Sequence, residues 1–219
     1  MKFTRDEIRK AMLLYAVTDQ MWLKEGETLG DVCGEVLANG ATFLQIREKD
    51  LDEASFEQEA ARLKDLCAKH HVPYVVNDSV EIVLHIDADG VHVGQSDIKG
   101  RDIRAMIGPD KILGISAGTV EEAVAAEAAG ADYIGVGAVF GTSTKKNARN
   151  LSVEKLREIT GAVSIPVVAI GGIKASNVME LRGSGVDGVA VVSAIFAAED
   201  PGAATAHLLE LAKEMVAHE

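Results

Sequence analysis

Apolar residues in this chain gather into eight short, nearly unbroken runs: "LLYAVTD" (13–19), "FLQIR" (43–47), "YVVN" (74–77), "GVHVG" (90–94), "ILGIS" (112–116), "YIGVGAVF" (133–140), "VVAIGG" (167–172) and "GVAVVS" (188–193). Polar residues do not alternate with them, which predicts parallel strands covered on both faces. Helical stretches lie between, clearest at 53–70, 119–130 and 152–161, with a last one from Pro201 to His218. Thr119 and Ser152 are placed to cap the second and third, and Gly130 and Gly161 to stop them. Strand–helix alternation repeated eight times predicts an α/β chain folded as a (β/α)8 TIM barrel, one domain over 1–219. A doubly wound open sheet also alternates, but it has fewer strands and a GxGxxG after the first, and "DQMWLKEGETLGD" carries none. "GADYIGVGAVF" (130–140) and "GVDGVAVVSAIF" (185–196) echo one another with a Gly-x-Asp ahead of an apolar strand.

The remaining composition narrows the partners. Of the 219 residues, 47% are hydrophobic and 26% charged, enough for a large core under an ordinary soluble surface. A net charge of −12 opposes a nucleic-acid partner, which needs a basic field. The apolar runs are too short to span a membrane. "MKFTRDEIRK" has no apolar centre or cleavage site, so it reads as a short N-terminal helix with Thr4 and Glu7 spaced as a capping box, and not as a secretion signal. Cys33 and Cys67 fall in different predicted helices, which suits buried thiols in a reducing cytoplasm. The histidines have no ligand spacing, and His92 reads as a core or wall residue of its strand. Whether copies of the chain associate as a homo-oligomer stays open.

In a barrel the residues just past each strand share one end, and that end carries the chemistry. Here they are Gln45, Arg47 and Lys49; Asn77 and Asp78; Gln95 and Asp97; Ser116; Thr142, Ser143, Thr144, Lys145 and Lys146; Gly171 and Gly172; and Ser193. Asp78 and Asp97 follow adjacent strands, so their carboxylates are placed to converge on a hard cation such as Mg2+. Acids at such positions also cap helices, so either one alone is ambiguous. Arg47, Lys49 and Lys145 add the positive charge that a diphosphate requires. Gly171-Gly172 and the end of "VVSAIF" suit a second, phosphate site, although a glycine pair also makes a plain tight turn. No activated nucleophile is evident, which favours chemistry driven by departure of a leaving group.

Taken together, "LYAVTD", "QIREKD", "VVNDSVEIVLHIDADGVHVGQSD", "GISAGT", "GADYIGVGAVFGTSTKKNA", "VVAIGGI" and "GVAVVSAI" closely resemble the thiamine-phosphate synthase family over nearly the whole chain. The resemblance implies joining of a hydroxymethylpyrimidine diphosphate to a thiazole phosphate, with diphosphate leaving before the thiazole nitrogen attacks. It implies a pyrimidine diphosphate site of Gln45, Ile46, Arg47, Glu48, Lys49, Asn77, Ser116 and Lys145, with Lys145, Arg47, Lys49 and Ser116 acting on the reacting groups. Asp78 and Asp97 would hold Mg2+, and Thr142, Ser143, Thr144, Gly171, Gly172, Val192 and Ser193 the thiazole phosphate. Gly118 stands where the family commonly has His. Two other readings use the same barrel: a thiazole tautomerase-like isomerase, whose relatives carry a His where this chain has Ala138, and a non-catalytic phosphate-binding barrel.

Overall fold

A computed structural model of the chain describes residues 3–48, 51–141 and 151–217. The apolar runs form strands at Leu14–Val17 (β1), Phe43–Ile46 (β2), Tyr74–Asn77 (β3), Gly90–Val93 (β4), Ile112–Ala117 (β5), Tyr133–Gly137 (β6), Val167–Ile170 (β7) and Gly188–Val191 (β8). Parallel pairing runs from β1 round to β8 and back to β1, closing a (β/α)8 barrel. Helices cover it at Leu29–Ala38 (α2), Glu53–His70 (α3), Val80–His85 (α4), Ile103–Ile107 (α5), Val120–Ala128 (α6), Val153–Ala162 (α7), Ser193–Phe196 (α8) and Pro201–Val216 (α9). The first helix, Arg5–Ala11 (α1), begins with the expected capping box between Thr4 and Glu7. Cys33 and Cys67 are buried free thiols on α2 and α3.

Alternation along each strand divides the core into two shells, which explains the continuous hydrophobicity of the runs. Outward-facing Leu14, Leu44, Val76, Val91, Ile115 and Ile134 pack with the helices. Inward-facing Tyr15, Phe43, Val75, Ile112, Tyr133 and Val168 fill the lumen. Ile8 and Met12 join this inner cluster, so α1 plugs the barrel at the end where the strands begin. Arg9 ties the plug down, donating to Asp187 Oδ1 (2.6 Å) and the Ser164 carbonyl (2.7 Å).

At that lower rim one device occurs four times. The backbone N–H of Leu14 donates to Thr42 Oγ1 (2.8 Å), that of Tyr74 to Asp89 Oδ2 (3.1 Å), that of Leu113 to Asp132 Oδ2 (2.8 Å) and that of Val167 to Asp187 Oδ2 (2.8 Å). Each acceptor is the residue immediately before an even-numbered strand, and each donor is the first or, for Leu113, the second residue of the odd-numbered strand before it. A strand start has donors that the ladder leaves over, and a short side chain one residue ahead of the neighbouring strand reaches them.

Two of the boundaries that differ from the sequence expectation have a clear local cause. Helix α7 runs through Gly161 to Ala162, because Gly161 keeps a negative φ and stays helical. The run 133–140 ends as a strand at Gly137, where a Cβ would overlap the Ile170 carbonyl oxygen. Beyond it the chain still follows β7, with Val139 N–H on Ile170 O (3.1 Å) and Phe140 N–H on Gly171 O (3.0 Å).

Candidate active site

The ends of the strands open into one cavity of about 1550 Å³, roomier than the few hundred to about 1,000 Å³ typical of a single small ligand. Strand β2 sends Gln45 and Arg47 into its wall, while the alternate residues turn away. The Ile46 side chain is fully buried in the outer shell. Glu48 accepts from Thr18 Oγ1 (2.5 Å) and from the Gln20 N–H (3.0 Å), so it anchors the loop after β1; burial pushes its carboxyl up. Lys49, Thr142, Ser143, Thr144, Lys145 and Lys146 lie outside the described residues.

The acid pair comes from two turns. Asp78 adopts a left-handed backbone (φ 62), which Asp tolerates better than most residues. Its N–H donates to His92 O (2.8 Å), and its carboxylate accepts from Asn77 Nδ2 (2.7 Å). Asp97 folds back so that Oδ2 accepts from the Gly94 N–H (2.9 Å), a contact a side chain at residue 94 would crowd. Burial, and after it the charge of Asp97, raises the Asp78 carboxyl above the usual carboxylate range. Two carboxylates held where one resists ionising make a place that favours a cation. Among the described residues no third His, Cys, Asp or Glu joins them. Two oxygen donors, with water and phosphate to complete the shell, fit Mg2+ and do not fit a structural zinc.

On the far wall, Gly171 (φ 103) and Gly172 (φ 66) both take backbone conformations that favour glycine. A Cβ on Gly172 would strike the Gly141 carbonyl oxygen, so β7's turn lies directly against the chain leaving β6. Asn177 Nδ2 holds the turn by donating to Gly172 O (3.0 Å). Val192, Ser193 and Ala194, at the start of α8, face the same cavity. Ser116 and Asn77 complete the floor, and Gly118 lines the rim with its N–H on Glu122 Oε2 (2.7 Å).

Beneath the floor lies a buried polar chain that the sequence reading missed. Gln45 Nε2 donates to Tyr15 Oη (2.6 Å), Tyr15 Oη meets Tyr133 Oη (2.8 Å), Tyr133 Oη meets His92 Nδ1 (2.9 Å), and His92 Nε2 meets Ser116 Oγ (3.0 Å). Gln95 Nε2 donates to the Ser116 carbonyl (2.6 Å) from outside it. His92 is indeed a wall residue, but a hydrogen-bonded one. Alternation on their strands marks Tyr15, Tyr133 and His92 as inward-facing, but it does not pair them with one another.

The sequence profile of a family described as thiamine monophosphate synthase matches residues 14–195. A thiamine-phosphate synthase of Ruminiclostridium cellulolyticum is 48% identical over 198 residues, covering 90% of this chain and 94% of that one. One from Clostridium beijerinckii is 49% identical over 187 residues, 85% of this chain and 89% of that one. The solved thiamine phosphate pyrophosphorylase of Pyrococcus furiosus superposes with a TM-score of 0.87 at 38% identity, covering 96% of this chain and all of that one. With a profile match across most of its length and relatives of nearly half identity, the chain belongs to the thiamine monophosphate synthase family.

Proposed function

We propose that this chain is a thiamine-phosphate synthase, a transferase of thiamine biosynthesis. It condenses 4-amino-2-methyl-5-(diphosphomethyl)pyrimidine with 4-methyl-5-(2-phosphoethyl)thiazole, or its carboxylated form, and releases diphosphate. The observation that carries the reading is one cavity with the Asp78–Asp97 pair on one wall and the Gly171-Gly172 turn beside α8 on the other. Two anionic substrates can then meet between them. The whole chain acts as one barrel domain, and no helix among the described residues is long and apolar enough to cross a membrane.

In this scheme Gln45, Asn77 and Ser116 hold the pyrimidine ring, and Arg47, Lys49 and Lys145 hold its diphosphate. The bond between the pyrimidine methylene and the diphosphate oxygen breaks, and its electron pair leaves with diphosphate. The thiazole nitrogen, aimed by a phosphate anchored at Gly171, Gly172, Val192, Ser193 and the 142–144 segment, then supplies the pair that forms the new C–N bond. Asp78 and Asp97 are the residues that would hold Mg2+, which when bound neutralises charge growing on the leaving group. The cations serve the same end, placing positive charge where negative charge develops. The test is to supply both phosphorylated substrates and follow thiamine phosphate by its fluorescent oxidation product. Coupling that needs Mg2+ and stops in chelator is expected; no coupling under any metal condition would sink the reading.

A further inference from the structure

We infer that Tyr15, Tyr133 and His92 are positioning residues: a one-way chain of hydrogen bonds through them makes Gln45 an acceptor and Ser116 a donor toward the pyrimidine ring. The ligand's identity rests on the synthase reading; the direction of the chain does not.

With the Gln45 amide nitrogen, rather than its oxygen, on Tyr15 Oη, counting protons sets the direction of the rest of the chain. A phenol has a single proton, so Tyr15, which accepts from Gln45 Nε2, sends its own proton to Tyr133. Tyr133 has then accepted one, and donates to His92 Nδ1. In the neutral ring the proton must sit on Nε2, which donates to Ser116 Oγ. Ser116 keeps its own proton for the cavity it lines, and Gln45 keeps its amide oxygen for the same cavity. Burial raises both phenols well above the usual tyrosine range, so they stay protonated and able to donate.

The barrel makes room for this arrangement. A Cβ on Gly114 would overlap the Tyr133 ring and lie 2.6 Å from His92 Nδ1, and one on Gly135 would come within 3.2 Å of His92 Cε1. Strands β5 and β6 therefore omit side chains where the two rings sit. An aminopyrimidine presents an amine that donates and ring nitrogens that accept. An acceptor at Gln45 and a donor at Ser116 match that edge when the amine lies against Gln45 and a ring nitrogen against Ser116, so the direction of the chain sets which way round the ring sits. Mismatched buried polar groups are what a site of this kind rejects.

The test has two arms. Two-bond proton–nitrogen correlation on protein with 15N-labelled histidine reads the tautomer directly, with a His92→Asn variant to assign the signal. The Nε2–H tautomer is expected in the wild type without substrate, and mixed tautomers in Tyr133→Phe. An Nδ1–H tautomer in the wild type would overturn the direction. In steady-state coupling, Tyr15→Phe and Tyr133→Phe should each raise KM for the pyrimidine diphosphate about tenfold and leave KM for the thiazole phosphate unchanged. Equal rises for both substrates, or none, would reduce the two tyrosines to packing and overturn their role. A wild type that never couples refutes the synthase reading instead, while the tautomer still decides the chain.

Discussion

Replacing Asp78 by asparagine should make the metal-free protein more stable while removing its activity. The Asp78 carboxyl is raised first by burial and then by the charge of Asp97, so at neutral pH two carboxylates oppose each other without a cation. Two unit charges about 4 Å apart repel by about 1 kcal/mol in water and about 4 kcal/mol at an effective dielectric near 20. Asp78 is exposed by area at the cavity mouth, and solvent screening puts the relief near the lower figure, about 1 kcal/mol. The backbone does not oppose the change, because asparagine accepts the left-handed φ of 62 as well as aspartate does. The amide also keeps one oxygen for Asn77 Nδ2, which now donates to the carboxylate at 2.7 Å.

For a chain of this size 1 kcal/mol moves the unfolding midpoint by about 2–4 °C. Asp78→Asn should therefore melt about 2–4 °C above the wild type in chelator, followed by circular dichroism. Millimolar Mg2+ should then raise the wild type by mass action and the variant much less. Turnover should fall about 10²-fold or more with the fold intact. A lower midpoint in chelator, or an equal gain from Mg2+ in both proteins, would refute the argument that these acids are held apart from their stable state for the sake of a cation.

Other outcomes are expected elsewhere in the molecule. Lys145→Ala should lower kcat about 10²-fold or more if its charge meets the departing diphosphate, whereas Lys146→Ala should change it by less than about threefold; equal losses would make the pair a diffuse basic patch. Asp132→Ala leaves the Leu113 N–H without its acceptor and removes the ion pair of Arg104, whose guanidinium keeps the carbonyls of Gly108, Lys111 and Gly130; at a cost of about 2 kcal/mol it should lower the melting midpoint by about 4–8 °C with kcat at 25 °C unchanged. Thiazole phosphate supplied alone in deuterated water should not isomerise, because buried Ala138 offers no ionisable group; proton transfer by a placed side chain contributes about 10²–10⁴-fold, and fast isomerisation seen by NMR would contradict the synthase reading.

The barrel was legible because its signals are local. Helix α3 occupies the full 53–70 stretch, bounded by Asp52 as cap and His71 in the left-handed conformation, and all eight apolar runs hold strands. Strand-end logic also gathered Arg47, Asn77, Asp78, Asp97, Ser116 and Gly172 around one cavity, since a parallel barrel aims every strand end the same way. Ile46 and Glu48 came in through family resemblance over a whole stretch; alternation along β2 turns their side chains to the scaffold. The polar chain was not legible, because Tyr15 and Tyr133 are separated by 118 residues and meet only through the curvature of the closed sheet. No local pattern reports which inward side chains face one another across a lumen.

The four rim caps have a consequence for how the molecule can be divided. Each joins an odd strand to the even strand that follows, as Leu14 to Thr42 and Leu113 to Asp132, so the ring consists of four two-stranded modules. A break in the backbone between β4 and β5, such as at Gly100, separates none of the four donor–acceptor pairs. Fragments 1–100 and 101–219 should accordingly reassemble on mixing, and a circular permutant opened there should fold. A break between β3 and β4 would instead part Tyr74 from Asp89. Duplicating such a module adds two strands whose polar ends already match, so a ring of this kind can grow by doubling without any redesign of its lower edge.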